Sequence, residues 1–312
     1  DTREWWLWRL TGPRPVEDAA ARVLERFDHL GHGQAAVTQR ASSSFTTFDG
    51  HVHDAGKALD PTSPRGRVVS ARMLETLGTC PRRFFFRYAL DIEPPEDVST
   101  DPQRWLDGRA SGALLHTLFE QFMHELVNKQ QTPNFDRDHE RLEELLKQQV
   151  ARYQDLFPPP SDSTFQWQCD ELRQTAHTFL RAEEDFCKSQ ASKPVFLEVS
   201  IGMPPDEHGT LLDTRKPVPV TLSDGGVVRA RGRVDRIDLI GQGTVYTYGI
   251  WDYKTGSDWG FERKDPFMQG RKVQPFLYLT IAGHRLRERV SDDVQIQYFG
   301  FFFPGVRTYG NR

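Results

Sequence analysis

The stretch Val245-Tyr-Thr-Tyr-Gly-Ile250-Trp-Asp-Tyr-Lys-Thr-Gly256 decides how the rest of the chain is read. Val245, Tyr246, Tyr248, Ile250, Trp251 and Tyr253 are β-branched or aromatic, and Thr255-Gly256-Ser257 reads as a turn, so a strand ends here. Residues two apart on a strand point to the same face. Asp252 and Lys254 therefore share one face, and Trp251 and Tyr253 share the other. A carboxylate beside an ammonium at a strand end can hold a metal ion and steady an anionic transition state. Taken alone, the same pair reads first as an ion pair on an exposed strand. The flanking chain has to choose.

Upstream, Val227 to Ile240 reads as one long strand, and Gly241-Gln242-Gly243 turns it into the strand that ends at Lys254. That hairpin can set Asp235 or Asp238 beside Asp252, but not both, because their parities differ. Val195 to Ile201 is a further strand, with Glu198 the one charge among apolar residues. Downstream, a helix carries Gln274 and Tyr278 four apart on one face, and Val294 to Phe303 is a last apolar strand. Residues 110–128 form the strongest helix, with Leu115, Leu118, Phe119, Phe122 and Leu126 in one stripe. His116 sits at the edge of that stripe, with Gly112 and Glu120 on neighbouring turns. It gains meaning only opposite a metal or an anion, and His124 has no such claim. Residues 138–156 and 166–188 read as further helices.

The N-terminal part holds Trp5, Trp6 and Trp8, then a helix from Pro15 through Phe27 that Gly31-His32-Gly33 is expected to end. Residues 40–67 read as an extended connector. Ser70 is an N-cap candidate for a helix with Met73, Leu74 and Leu77. Cys80-Pro-Arg-Arg-Phe-Phe-Phe-Arg87-Tyr88 then interleaves basic and aromatic residues, as a nucleic-acid contact or as packed rings with solvated arginines. The division expected is residues 1–68 as helix and connector, and 69–312 as one domain.

Bulk properties narrow the class. Charged residues make up 27% and hydrophobic ones 37%, which fits a folded protein rather than a disordered one. No apolar run is long enough for a membrane span, and the start is not a signal peptide. The first residue, Asp1, is not Met, which fits a piece of a longer protein. A net charge of -4 leaves nucleic-acid binding to local basic clusters. Three scattered cysteines suit a reducing compartment and exclude a disulfide framework.

Taken in order, Gly112-Ala-Leu-Leu-His116, Gly232-Arg-Val-Asp-Arg-Ile-Asp238, Asp252-Tyr-Lys-Thr-Gly256 and Gln274-Pro-Phe-Leu-Tyr278 resemble the PD-(D/E)xK nuclease superfamily in its RecB-like branch. Ser70 to Leu90 and the lead-in Phe45-Thr-Thr-Phe-Asp-Gly50 resemble the segments before the nuclease core of AddB-type helicase–nuclease subunits. The resemblance implies an α/β, restriction-endonuclease-like core, a central mixed β-sheet flanked by helices, with added N-terminal helices. It assigns His116, Asp235 and Asp252 to a metal site and Lys254 to catalysis. Gln274 and Tyr278 would line the site and position the DNA backbone, with Glu198 a possible addition. The metal would be Mg²⁺, or Mn²⁺ given the histidine. Of the basic clusters that flank the motifs, Arg233, Arg236, Arg271 and Lys272 are the expected DNA contacts, and some arginines of those clusters must be solvated surface. Nothing suggests base-specific readout.

The function so implied is a metal-dependent DNA exonuclease acting in repair or recombination beside a helicase domain or subunit, in the bacterial cytoplasm at the nucleoid. An inactive DNA-binding module and a restriction-type endonuclease are the rivals. There is one departure. Cys80 matches the first ligand of the [4Fe-4S] cluster of many such nucleases, but no cysteine follows Cys187, so no intact cluster is expected in these residues.

Overall fold

The computed structural model describes residues 19–51, 56, 59–94, 101, 103–241, 246–256, 265 and 267–304. Trp5, Trp6, Trp8, Pro15, Arg263 and Lys264 lie outside them. The chain divides into two compact units, Asp1–Ala58 and Leu59–Arg312.

In the first unit, α1 (Ala19–Arg26) is followed by α2 (Asp28–Arg40). The expected stop at Gly31-His32-Gly33 is not made: α2 runs through both glycines. A helix-interior glycine costs only about 1 kcal/mol, too little to end a helix on its own. The connector is not wholly extended either. Thr46 and Asp49 form a reciprocal capping box over a 3-10 turn, Thr47–Asp49, that ends on Gly50 at φ 92°.

The second unit begins with α3 (Ala71–Thr79), capped by Ser70, whose side chain accepts from the Met73 amide. A short α4 (Pro81–Phe84) follows, with proline in its first turn, then a π-helical turn over Phe85–Ala89. Three long helices come next: α5 (Gly108–Asn128), α6 (Phe135–Leu156) and α7 (Asp162–Ser189). Each starts on a polar cap, Asp107, Asn134 and Ser161, whose side chain accepts an otherwise orphaned amide.

The strands are β1 (Ser192–Ile201), β2 (Val218–Thr221), β3 (Val227–Ala230), β4 (Gly232–Ile240) and β5 (Thr247–Tyr253). Helix α8 (Gln274–Arg289) leads to β6 (Gln295–Phe302). The main sheet is ordered β1-β4-β5-β6, with β6 parallel to β5 and the other pairs antiparallel. The expected long strand 227–240 is thus two strands. The chain breaks at Arg231, whose amide donates to Val69 O while Val69 N donates to Arg229 O. That exchange draws β3 into a separate two-stranded sheet with β2.

Two cores cover the two faces of the main sheet. Helices α5, α6 and α7 pack Leu118, Phe119, Phe122, Leu142 and Phe179 against Trp251, Tyr253 and Phe302. Phe119 and Phe179 stack with ring centroids 3.9 Å apart. On the other face Leu277, Ile281 and Leu286 of α8 and Met73 of α3 meet Val199, Val234, Ile237 and Ile250. Each such fully buried side chain contributes about 1.5–3 kcal/mol. Trp251 and Tyr253 therefore pack away from the face that Asp252 shares with Ile250. Among the described residues, no helix is long and apolar enough to cross a membrane.

Candidate active site

The site forms where β4 and β5 part. Their ladder ends at the pair Arg236↔Trp251. One residue further, Asp235 turns in and its Oδ2 accepts from the Tyr253 amide at 2.9 Å, replacing the ladder bond that the parting removes. From α5, His116 Nε2 lies 3.6 Å from Asp235 Oδ2 and 3.7 Å from Glu198 Oε1. Glu198 is buried in β1 and holds φ 50°, a left-handed backbone that a non-glycine residue keeps at a cost of about 1–3 kcal/mol. Such a cost inside a strand marks a position set by side-chain placement rather than by pairing.

Asp252 is 2% exposed. Its Oδ1 accepts from Gln274 Nε2 at 2.6 Å, and its Oδ2 pairs with Lys254 Nζ and with no other group among the described residues. Gln274 is the first residue of α8, and that helix start is fixed from α3. Glu75 Oε1 accepts from the Val273 and Gln274 amides at 3.0 and 3.2 Å. Tyr278, one turn on, faces Asp252, and burial followed by that carboxylate pushes its phenol well above the usual range. Two glycines let the pieces close. A Cβ on Gly112 would stand 2.6 Å from Thr255 Oγ1, and one on Gly232 would stand 2.7 Å from the Tyr278 ring.

The electrostatics are those of excess negative charge. Burial, then Asp235, pushes Asp252 up to about 7 against the pull of Lys254. Burial and Asp235 push Glu198 up to about 8. Pairing with Asp235 raises His116 to about 9 in spite of its burial. Protons thus gather where a cation is wanted. The donor set, carboxylate oxygens plus one imidazole, fits a divalent ion that prefers oxygen ligands. His116, Glu120 and Glu198 also present ligand atoms all within 4.8 Å of one another.

The structure brings His116, Glu198, Asp235, Asp252, Lys254, Gln274 and Tyr278 to this one place. Asp238 is elsewhere, as its parity requires. Two residues escaped the sequence reading of the site: Glu120, whose signal was its spacing one turn from His116, and Glu75, which has no local signal. Arg236 requires a correction. Expected to contact DNA, it is fully buried on the far face, and no phosphate can reach it. Its guanidinium donates twice to Asp238, at 2.6 and 2.7 Å, and also to Glu183 and to Tyr253 Oη. Arg229 and Arg285 are likewise engaged by backbone carbonyls, those of Gly66 and Leu212. Arg233 and Arg271 are exposed, and Lys272 is half-buried.

A parted hairpin carrying Asp235 and an Asp-x-Lys, with a helix histidine and a Gln/Tyr helix around it, is the arrangement of one nuclease class. The model of the PD-(D/E)XK nuclease superfamily matches residues 68–307, and this chain belongs to that superfamily. Among individual proteins it is similar to an ATP-dependent helicase/deoxyribonuclease subunit of Clostridium botulinum (strain Loch Maree / Type A3), 24% identical over 293 residues, 93% of this chain and 22% of that protein. The proteins of the same name from Alkaliphilus metalliredigens (strain QYMF) and Symbiobacterium thermophilum are 24% and 26% identical over 77% and 68% of this chain, and 20% and 17% of their own lengths. The chain spans about a fifth of the length of these relatives.

Proposed function

We propose that this chain is a Mg²⁺- or Mn²⁺-dependent exonuclease domain that hydrolyses DNA phosphodiester bonds on single strands or duplex ends. It would serve DNA repair or recombination in the bacterial cytoplasm, beside a helicase domain or subunit. The observation that carries the reading is the meeting of His116, Glu198, Asp235 and Asp252 at one end of the sheet, with Lys254 paired to Asp252. The names of the related helicase/deoxyribonuclease subunits support the DNA substrate and the helicase partner.

Asp235, Asp252 and His116 would hold the ion, with Glu198 beside them. When bound, the ion supplies an acidified water near neutral pH and a counter-charge to the phosphate. Lys254 would orient the attacking water or stabilise the phosphate as its charge grows. Gln274 keeps the Asp252 carboxylate aimed, and the protonated Tyr278 phenol stands beside it as a donor to the backbone. Arg233, Arg271 and Lys272 flank these elements and would take phosphates, which predicts sequence-tolerant cleavage.

Chains carrying Asp252→Ala or Lys254→Ala, incubated with end-labelled linear DNA and Mn²⁺, are expected to leave it intact where the parent yields a nucleotide ladder. Cleavage by either variant at the parental rate overturns the assignment. Discrete fragments from the parent would instead indicate an endonuclease.

A further inference from the structure

Two turns along α5 from His116 lies a second set of metal-ligand groups that the proposed chemistry does not use. His124 is 8% exposed, and its Nε2 is sealed from solvent without a hydrogen-bond partner among the described residues. A buried imidazole nitrogen left so is unfavourable unless something pairs with it. Facing it is the loop that follows β1. There Asp206 Oδ1 accepts from the His208 and Gly209 amides, both at 3.0 Å, which fixes the carboxylate. The other oxygen, Oδ2, is buried and likewise has no partner among the described residues. Ligand atoms of Glu120, His124 and Asp206 all lie within 4.8 Å of one another. The His208 ring lies against that of His124, with centroids 4.2 Å apart. A cavity of about 220 Å³ lined by both histidines adjoins them, with room for water as a remaining ligand.

We propose that His124, Asp206 and Glu120 form a second cation site, separate from the Asp235–Asp252 centre, that takes a transition-metal ion of the Zn²⁺ type. With only three protein donors, one of them an imidazole, the set matches the His and carboxylate ligation of four-coordinate Zn²⁺, whereas Mg²⁺ dehydrates reluctantly and keeps several waters. Bonds of about 2.0–2.2 Å would draw the three donors in from their present separations, all within 4.8 Å. Two orphaned atoms from different elements, a helix nitrogen and a loop oxygen, would be satisfied by one ion. The ion would clasp the 202–217 loop to α5. Glu120, one turn from both His116 and His124, stands between the two centres, so the clasp also fixes the helix face that presents His116.

The test separates this site from the catalytic one. In the 312-residue chain, His116→Gln with Asp235→Asn disables the first centre, including the set that His116 forms with Glu120 and Glu198. Zn²⁺ alone is then titrated in by calorimetry, with thermal melting in parallel. One equivalent is expected to bind and to raise the melting temperature. Adding Asp206→Asn keeps the Oδ1 acceptor for the loop amides, so folding is preserved, and is expected to weaken Zn²⁺ binding at least about 100-fold. His124→Gln is a second variant with the same expected loss. The site is overturned if the double variant binds no Zn²⁺, or if binding and melting are unchanged by Asp206→Asn and by His124→Gln. Nuclease activity enters neither readout, so the outcome does not depend on the proposed function.

Discussion

The same strands, β4 and β5, carry two ionic clusters that differ in one respect. On the helix-bundle face, Arg236 holds Asp238 and Glu183, with Tyr253 and Ser192 completing the bonds, and Arg236, Asp238 and Ser192 are closed to solvent. At the parted end, Asp235, Asp252 and Glu198, with Glu120 close by, have His116 and Lys254 as their paired cations among the described residues, and part of the cluster is open. In the first cluster one guanidinium bonds both carboxylates directly, and the cluster reads as structure. In the second the imidazole stands 3.6 and 3.7 Å from the carboxylates it faces, and that looser pairing marks it as a site. Burial does not tell them apart, since Asp252 and Arg236 are both buried; closeness of pairing does.

The largest expected effect tests the closed cluster. Arg236→Ala strands two buried carboxylates and is expected to cost about 3–5 kcal/mol of stability by urea unfolding. Native-like stability would mean that the cluster is not closed. At the open cluster, Lys254→Ala should do the reverse: little change in stability, but a loss of about 10²–10³-fold in cleavage rate. If its unfolding midpoint fell as far as that of Arg236→Ala, the contrast would collapse.

The third effect is in pH. Asp252, Glu198 and His116 all have folded-state pKa values above their ordinary ones, at about 7, 8 and 9. Each therefore binds its proton more tightly when folded, and its contribution is complete below the unfolded pKa and lost as pH rises through the folded one. In EDTA, stability should fall as pH rises from about pH 5 to about pH 9. Saturating Mg²⁺ or Mn²⁺ should flatten or reverse that fall, since the ion binds the deprotonated groups. Thermal melts across this range, with and without metal, decide it; identical profiles would remove the metal from the site. The smallest effect expected is that of Gln274→Ala, roughly tenfold in rate with the melting temperature nearly kept, because one charge-assisted hydrogen bond to Asp252 is lost.

Much of this contrast was legible in the chain. The stripe of Leu115, Leu118, Phe119, Phe122 and Leu126 gave α5, and alternation gave the opposite faces of Asp252 and Tyr253. Parity left Asp235 or Asp238 open, and the order of motifs chose between them. What failed was long-range. Arg236 looked like one more arginine in a basic run, because the carboxylate that draws it inward, Glu183, belongs to a helix far back in sequence. Glu75 and the break at Arg231 depend on α8 and on Val69, partners that no local window contains. The glycines of α2 misled for a different reason: their cost is small, and it was read as a stop.

The Arg236 cluster also works as a proofreading device for the hairpin. A slip of β4 against β5 by one residue would exchange their faces. Arg236 would then lose Glu183 and Tyr253, and a stray charge would enter the aromatic layer beneath. Misaligned copies would therefore be too unstable to persist. A chain that keeps the knot tied has, by the same alignment, delivered Asp235 to Asp252. Foldedness in this protein thus reports that Asp235 and Asp252 stand in register.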